Sequence, residues 1–311
     1  MKKYTPFFLW ILSFTLGLLF ILSGYTKLYP IEPFEFTFVD FGVASWKTAP
    51  FVARFLIGFE FLVGLLLITG VFLRKFTLKL TITALVFFSV YLAIILIKNG
   101  NNGNCGCFGT AIVMTPVQAL IKNGLMLLSC FVLIKFFKGF DFKKYNKWLV
   151  ILFVMVSFSM PHILNYVDFE YSSSYLVKKE DQFYLELDSL YKNAKVNVPP
   201  AKLRSGKHLI AFMSMSCGHC RIAAKKMRIM KEKNPDLPIY FVLNGDTDKL
   251  KPFFDDTRAK NIDYCVLNGK SFVYLAGLNM PAIYLVNNSV VEHWINYLEL
   301  DQAEVEKWLI K

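Results

Sequence analysis

Long apolar stretches dominate the first half of the chain and give way to a mixed pattern in the second half. Five of them are close to the length of about 20 residues that a helix needs to cross a bilayer. These stretches lie near Phe7–Gly24, Phe51–Phe72, Phe76–Ile97, Pro116–Phe137 and Trp148–Leu164. We therefore expect a bundle of transmembrane helices that ends near Asn165, followed by a domain that folds in water.

After Asn165 the pattern changes to short apolar runs separated by polar turns and amphipathic segments. Residues 168–205 are polar and mixed, so we expect a linker there, with some helix in Lys179–Lys195. From Lys207 onward strands and helices are expected to alternate, which predicts an α/β domain. The predicted strands are His208–Met213, Ile239–Leu243, Pro281–Val286 and Val290–Trp294, and the predicted helices are the segment after Cys220 to about Lys233, Lys249–Lys260 and Gln302–Ile310.

The distribution of positive charge predicts the orientation of the helices. The formal net charge of +12 would suit a nucleic-acid-binding protein, but lysine and arginine cluster at the N-terminus and in the segments 74–79 and 135–147. Such clusters in short loops mark the cytoplasmic side of a membrane. The segments Tyr25–Pro50 and Lys98–Thr115 and everything after Leu164 are therefore expected outside the cytoplasm, and nucleic acid is not an expected partner.

This pattern predicts a multi-pass protein of a bacterial inner membrane, with the lipid bilayer as a partner and the N-terminus in the cytoplasm. A cleaved signal peptide at Met1–Gly24 is the alternative for the first stretch, although an A-x-A-like cleavage site is missing there. Cleavage would leave the orientation of the later helices unchanged.

Two cysteines separated by two residues precede a predicted helix of the α/β domain. Cys217-Gly218-His219-Cys220 follows the strand His208–Met213 after a short turn. A helix N-terminus offers free N–H groups and a partial positive charge that favour a thiolate, so Cys217 is the expected attacking thiol. Cys220, one turn later, is placed to resolve a mixed disulfide, and a cationic His219 would favour the thiolate further and make the pair more oxidising. The alternative, half of a structural metal site, lacks a second Cys or His pair at zinc spacing.

On these residues the segment Lys207–Lys311 resembles the thioredoxin superfamily, especially its periplasmic TlpA-like branch. The Cys-Gly-His-Cys sequence is like that of protein disulfide isomerases, and Met280-Pro281 matches the cis-proline position that faces the active-site disulfide in that fold. The resemblance implies that Pro281 is cis and helps to dock an extended segment of a client protein. Two departures are Met215-Ser216, in place of the usual Trp, and Cys265, which we expect to be a buried, inert thiol.

A second pair of cysteines lies in the predicted outer loop between the third and fourth spans. Cys105 and Cys107 are separated by Gly106 alone and are flanked by further glycines. A disulfide in such a tight ring should be strained and easily reduced, which suits an exchange partner. A permanent loop-closing disulfide and a metal-ion site are the alternatives.

The first half resembles the MauE-like branch of the DoxX superfamily over about Ile11–Phe137. MauE proteins are associated with maturation of methylamine dehydrogenase, whose small subunit is rich in disulfides, and they work alongside a thioredoxin-like partner, MauD. The resemblance implies that the two activities are joined in one chain, with the fifth span added to a four-helix pattern. The matching positions are Ser23-Gly24-Tyr25-Thr26-Lys27-Leu28, Glu60, Cys105-Gly106-Cys107-Phe108-Gly109 and Lys122-Asn123.

Glu60 lies inside the second span, where an ionised side chain is costly and is usually paired or functional. At about 1.5 Å per residue, Glu60 lies roughly 13 Å below the outer surface and Lys122 roughly 9 Å below it. We expect these two residues to form an ion pair, with Lys27 or Arg54 as the alternative partner. Both a structural role and a proton-handling role remain open for the pair.

These features predict a multi-domain protein: an all-α transmembrane helix bundle, with a four-helix core plus a fifth span, followed by an α/β thioredoxin-like domain. The expected parts are a MauE/DoxX-like transmembrane domain at 1–137, a cytoplasmic loop and fifth transmembrane helix at 138–167, a linker at 168–205 and a thioredoxin-like domain at 206–311.

The expected function is thiol–disulfide oxidoreduction at the membrane. Electrons would pass between cysteines of extracytoplasmic client proteins, the pair Cys217 and Cys220, and the pair Cys105 and Cys107, with a quinone as acceptor by analogy alone. A metal-handling or transport protein with a thiol-maintaining domain is the alternative, and a maturation scaffold that binds clients without turnover is a third hypothesis.

Overall fold

The computed structural model of the chain describes residues 5–101, 103–140, 145–167, 182–277 and 279–310. The chain divides into two compact units, Met1–Val167 and Asp168–Lys311. The first unit is helical and the second is built on a β-sheet, so the expected fold class is confirmed. The first part of the expected linker, 168–181, and the loop cations Lys143 and Lys144 lie outside the described residues.

The first unit consists of α-helices joined by short loops. The helices are α1 (Thr5–Leu28), α2 (Glu32–Asp40), α3 (Ala49–Thr69), α4 (Leu78–Asn99), α5 (Pro116–Phe136) and α6 (Asn146–Leu164). Within the described residues, all of these except α2 are long and apolar enough to cross a membrane. The five spans expected from the sequence are thus confirmed, and α1 continues past Gly24 to Leu28.

Helix α2 was not predicted, since the sequence placed it in an outer loop. Its apolar face buries Phe36 and Val39, and Pro33 lies in its first turn. A proline is tolerated there because the first N–H groups of a helix have no intrahelical acceptor. The segment after α1 is therefore a folded part of the unit.

Helices α1 and α3 approach each other closely through two glycines. A Cβ atom on Gly17 would lie 2.7 Å from the carbonyl oxygen of Gly64, and one on Gly64 would lie 2.8 Å from that of Gly17. Small residues at such crossings are typical of helices packed in a membrane. The contact holds α1 beside α3, the helix that carries Glu60.

The fifth span, α6, packs against α3 at Gly58. A Cβ atom on Gly58 would lie 2.8 Å from the carbonyl oxygen of Ser157. Arg54 links the same two helices, because its Nε donates to the carbonyl oxygen of Asn165 at 2.9 Å. Its guanidinium also pairs with Glu35 of α2 at 2.6 Å, so Arg54 is not the partner of Glu60.

The second unit is built on one six-stranded sheet in the order β1-β6-β5-β2-β3-β4. Strands β2, β3 and β4 are parallel to one another, while β5 pairs antiparallel with β2 and β6, and β1 pairs antiparallel with β6. The strands are β1 (Phe183–Tyr184), β2 (Lys207–Ser214), β3 (Ile239–Asn244), β4 (Asp263–Val266), β5 (Ala282–Asn287) and β6 (Val290–Ile295). The helices are α7 (Leu187–Asn193), α8 (Gly218–Lys233), α9 (Leu250–Thr257), α10 (Lys270–Ala276) and α11 (Gln302–Ile310).

The expected linker differs from the structure in its described part. Strand β1 extends the sheet at β6, and Leu187 and Leu190 of α7 are buried in the main core of the unit. Residues 182–205 therefore belong to the folded unit, and the helix expected in Lys179–Lys195 is seen as the shorter α7. Strand β4 and helix α10 were also not predicted, because elements of four and seven residues are too short to display a clear hydrophobic period.

Candidate active site

Cys217 lies at the junction between a central strand and a helix. Strand β2 ends at Ser214, and Cys217 is the N-cap of α8, where its Sγ accepts a hydrogen bond from the backbone N–H of Cys220 at 3.3 Å. Sulfur here takes the place of the Ser, Thr or Asp oxygen that usually caps a helix. The position expected for the attacking thiol is thus the position in the structure.

Cys220 differs from Cys217 in its accessibility. Cys220 is fully buried, whereas Cys217 is half-buried. Burial raises the pKa of the Cys220 thiol, and its hydrogen bond with Cys217 raises that pKa further. The backbone N–H of Ser214 donates to Cys220 Sγ at 3.4 Å. An incoming sulfur can therefore reach Cys217 and not Cys220, which is the order required of attacking and resolving thiols.

Two further expected residues flank this pair. The Met280–Pro281 peptide bond is cis, as the resemblance implied, and it directly precedes β5. The His219 ring stacks on Tyr297, with ring centroids 5.3 Å apart and an angle of 25° between the planes. The stacking fixes the orientation of His219 in the first turn of α8.

Arg221 is a site residue that the sequence reasoning missed. Its Nε and Nη2 donate to the carbonyl oxygen of Met215 at 3.2 and 3.0 Å, and its Nη1 pairs with Asp256 at 3.3 Å. Met215 lies in the turn between β2 and Cys217. A basic residue directly after Cys-x-x-Cys was the available signal, and its role is to hold the turn before Cys217.

The second dithiol lies in the loop between α4 and α5. Asn104 organises this loop, because its Oδ1 accepts from the N–H of Gly106 at 3.1 Å and its Nδ2 donates to the carbonyl oxygen of Gly109 at 2.8 Å. The N–H of Cys105 also donates to the carbonyl oxygen of Met114 at 2.8 Å. These bonds hold Cys105 and Cys107 in a compact turn in which their thiols are hydrogen-bonded to each other.

Gly109 lets the loop rest on the backbone of α1. A Cβ atom at this position would lie only 2.3 Å from the carbonyl oxygen of Thr26, and Gly109 has a φ of +56°. Both the close approach and the left-handed backbone favour glycine. The loop therefore packs directly on the C-terminal end of α1.

The loop thiols differ in their ionisation. The pKa of the Cys105 thiol is lowered to about 7, first by the hydrogen bond from Cys107 and also by the nearby cations Lys122 and Lys27, against the opposing effect of burial. The same hydrogen bond, followed by burial, raises the pKa of Cys107. In the reduced loop, the negative charge therefore resides on Cys105.

A buried polar network connects the loop to the membrane helices. Lys27 Nζ contacts both carboxylate oxygens of Glu60, at 2.6 and 2.8 Å, and donates to Ser23 Oγ at 2.7 Å. The Ser23 hydroxyl in turn donates to the carbonyl oxygen of Cys107 at 2.8 Å, with Glu60 Oε1 3.2 Å away. Ser23, expected only as part of the Ser23–Leu28 motif, thus links the ion pair to the dithiol loop.

The expected ion pair between Glu60 and Lys122 is wrong, and the alternative partner Lys27 takes its place. Because α1 continues to Leu28, Ser23 and Lys27 lie one turn apart on the same face of that helix. Lys122 instead places its Nζ over the ring of Phe108, 4.8 Å from the ring centroid. It faces the same loop from α5 as a cation.

The remaining cysteines lie apart from these pairs. Cys130 in α5 and Cys265 in β4 are fully buried, and burial raises the pKa of the Cys265 thiol to about 11. The inert role expected for Cys265 is consistent with this environment. Across the described ranges, no group of three or more His, Cys, Asp or Glu side chains converges, so nothing there favours the metal-handling alternative.

Known proteins resemble this chain both in its first unit alone and over most of its length. Residues 5–136 match the family of methylamine utilisation protein MauE. The chain is 29% identical over 308 residues to Protein TlpB of Flavobacterium psychrophilum, an alignment that covers 83% of this chain and 82% of that protein.

Two solved structures are similar to part of the chain, each at 16% identity. One is a secreted disulfide oxidoreductase of Mycobacterium tuberculosis homologous to E. coli DsbE, with a TM-score of 0.31, 40% of this chain covered and 97% of that chain. The other is the thioredoxin domain of a thiol-disulfide oxidoreductase of Bacteroides vulgatus, with a TM-score of 0.29, 35% of this chain covered and 82% of that chain.

Proposed function

Since a MauE domain is joined here to a thioredoxin-like domain, we propose that the chain relays electrons between client thiols and a membrane-loop dithiol. Three pairs of cysteines carry the electrons in turn. They are the pair in the client protein, then Cys217 with Cys220, then Cys105 with Cys107. One observation supports this most directly: each unit holds a pair of thiols in contact, with one thiol accessible and the other buried.

The first exchange oxidises the client. A client thiolate attacks Cys217 Sγ of the Cys217–Cys220 disulfide, the disulfide bond breaks, and Cys220 leaves as a thiolate. A second client thiolate then attacks the client sulfur of the mixed disulfide, which closes the client disulfide and releases Cys217. Two electrons have moved from the client to the pair, and the two thiol protons pass to water or to the released thiolates.

The second exchange returns the pair to its oxidised form. The Cys217 thiolate attacks the Cys105–Cys107 disulfide, and Cys220 then resolves the mixed disulfide, so that the loop carries the two electrons as a dithiol. In this proposal both dithiols lie on the extracytoplasmic side. The support is the clustering of cations at the N-terminus and in the segments 74–79 and 135–147, which the positive-inside rule assigns to the cytoplasm.

A membrane quinone is the class of acceptor that would reoxidise the loop, by analogy with other membrane proteins fused to thioredoxin domains. A quinone needs hydrogen-bonding partners for its two carbonyl oxygens. Ser23, Lys27 and Glu60 already bond to one another near the loop. These three side chains therefore do not fit a quinone, and the proposed relay ends at the loop dithiol.

Trapping tests the relay. A Cys220→Ala variant of the full chain, in its native membrane, retains Cys217 but cannot resolve mixed disulfides. Acid quenching, alkylation and mass spectrometry should reveal Cys217 linked to the Cys105–Cys107 loop and, where a client thiolate has displaced the loop sulfur from Cys217, a second species in which Cys217 is linked to a client cysteine. Both species should disappear on reduction.

Two matched controls accompany this experiment. A Cys217→Ala/Cys220→Ala variant should give neither species, and Cys220→Ala/Cys265→Ala should give both in unchanged amount, because Cys265 is buried away from the exchange. If Cys220→Ala accumulates client-linked species but no loop-linked species, the second exchange is refuted. If Cys217→Ala retains full maturation of clients in cells, the scaffold hypothesis replaces the relay.

A further inference from the structure

The two loop cysteines have different surroundings, and this difference bears on which one exchanges. Cys105 is 4% exposed and is packed in a small apolar cluster with Leu92 and Ala119. Cys107 is half-buried and lies at the border of that cluster. Because exchange requires an in-line approach of one sulfur to another, access restricts attack to the Cys107 side.

The backbone of Cys107 is held by a hydrogen bond from α1. Its carbonyl oxygen accepts the hydrogen bond of Ser23, which is itself held by Lys27 and Glu60. An anchored main chain keeps the Cys107 sulfur in one place while its bonding partner changes. Cys107, the more accessible of the two cysteines, is therefore also the one whose main chain is anchored.

The surroundings of Cys105 suit a departing thiolate. Lys122 faces the loop from α5, whereas Lys27 of α1 shares its charge with Glu60, so Lys122 is the larger electrostatic influence on the Cys105 sulfur. Both lysines lower the pKa of the Cys105 thiol, and unlike the hydrogen bond from Cys107 their charges remain when Cys107 is part of a disulfide. A thiol of lower pKa is the better leaving group in exchange.

We propose, on the basis of the relay proposed above, that Cys107 is the exchanging sulfur of the loop and that Cys105 is its leaving thiolate. The Cys217 thiolate attacks Cys107 Sγ, the Cys105–Cys107 bond breaks, and a Cys107–Cys217 bond forms as Cys105 takes up the electron pair. Cys220 then attacks Cys217 Sγ and releases Cys107 as the second thiolate. By microscopic reversibility, the same Cys107-linked intermediate forms when electrons flow the other way.

The test uses the full chain with Cys220→Ala in lipid nanodiscs. The loop is first oxidised, Cys217 is kept reduced, and the reaction is stopped with acid on a rising series of times. N-ethylmaleimide then marks the released loop thiol, and tandem mass spectrometry locates the mark within the Cys105-Gly106-Cys107 peptide.

We expect the earliest species to carry Cys217 on Cys107 and the maleimide on Cys105, in at least about tenfold excess over the reverse arrangement. Equal amounts, or an excess of Cys217 on Cys105, would overturn the assignment while leaving the relay intact. No cross-linked species at any time would overturn the relay and the assignment together.

A second measurement does not depend on resolving two cysteines within one peptide. In Cys105→Ala/Cys220→Ala and Cys107→Ala/Cys220→Ala, a limiting amount of diamide joins Cys217 to the remaining loop thiol. The first variant should cross-link at least about tenfold faster. Equal rates, or faster cross-linking of the second variant, would contradict the role given to Cys107.

Discussion

Replacing Glu60 by Gln would leave the ammonium group of Lys27 buried without its counter-ion. Both side chains are 4% exposed, and Lys27 Nζ contacts both carboxylate oxygens, at 2.6 and 2.8 Å. Removing one partner of a pair buried to this degree costs about 3–5 kcal/mol, because the remaining charge keeps its desolvation penalty and loses the attraction that offset it. Such a loss lowers the folding equilibrium constant by about two to four orders of magnitude.

A double-mutant cycle separates this effect from the loss of packing. Lys27→Met and Glu60→Leu together remove both charges and keep similar volume, so the double variant should cost far less than the sum of the two single variants. Equilibrium unfolding in mixed detergent micelles, followed by tryptophan fluorescence, measures the four free energies of unfolding. A Lys122→Met variant serves as the control, because Lys122 contacts the Phe108 ring rather than Glu60 and should cost no more than about 2 kcal/mol.

The reasoning fails if Glu60→Gln lowers the free energy of unfolding by less than about 1 kcal/mol, the range of an exposed pair. The reasoning also fails if Lys27→Met/Glu60→Leu lowers the free energy of unfolding by as much as Lys27→Met and Glu60→Leu do in sum. Either result would mean that Lys27 and Glu60 do not stabilise each other as a buried pair.

Three further predictions concern the cysteines and the loop. The fraction of Cys105 present as thiolate in the reduced protein, followed by its ultraviolet absorbance because the sulfur is buried from alkylating reagents, should increase between pH 6 and pH 8 with a midpoint near its pKa of about 7. Cys107→Ala should move that midpoint upward, since it removes the hydrogen bond that lowers the pKa most, and an unchanged midpoint would contradict this origin. Gly109→Ala should slow exchange at the loop by about tenfold or more, since its Cβ would lie 2.3 Å from a carbonyl oxygen of α1, whereas Gly124→Ala, whose Cβ meets no atom within 4 Å, should leave stopped-time cross-linking unchanged. Cys265, fully buried and with its pKa raised to about 11, should resist maleimide at pH 8 until the protein is denatured, and rapid labelling of the folded protein would refute its burial.

Features with a strong period or a specific motif could be predicted from the sequence. The membrane spans follow from runs of about 20 apolar residues, and the central strands β2, β3 and β5 are almost entirely buried and so lack polar interruptions. The place of Cys217 follows from a Cys-x-x-Cys between a strand and a helix. Each of these signals is local, so one stretch of sequence suffices to read it.

Features that depend on distant packing could not be predicted. Lys27 and Lys122 both lie within reach of Glu60 by depth alone, and only the rotation of α1 and α5 decides between them. Strand β1 has two residues and forms because β6 offers a partner far along the chain: Phe183 pairs with Val291, 108 positions later, and no local pattern encodes such a pairing. A serine in an apolar helix does not by itself indicate a functional site. The spacing of four residues between Ser23 and Lys27 could nevertheless have indicated that the two side chains lie on one helix face.

The support of the dithiol loop acts on the main chain: Ser23 bonds to the carbonyl oxygen of residue 107 and not to its sulfur. A peptide oxygen is present whatever side chain the residue carries. Replacing Cys107 by alanine or serine therefore removes the reactive sulfur and leaves the hydrogen bond from Ser23 in place. Substitutions of Cys107 can therefore report on sulfur chemistry alone. Ser23→Ala, in contrast, would preserve both sulfurs and remove the hydrogen bond that anchors the loop to α1.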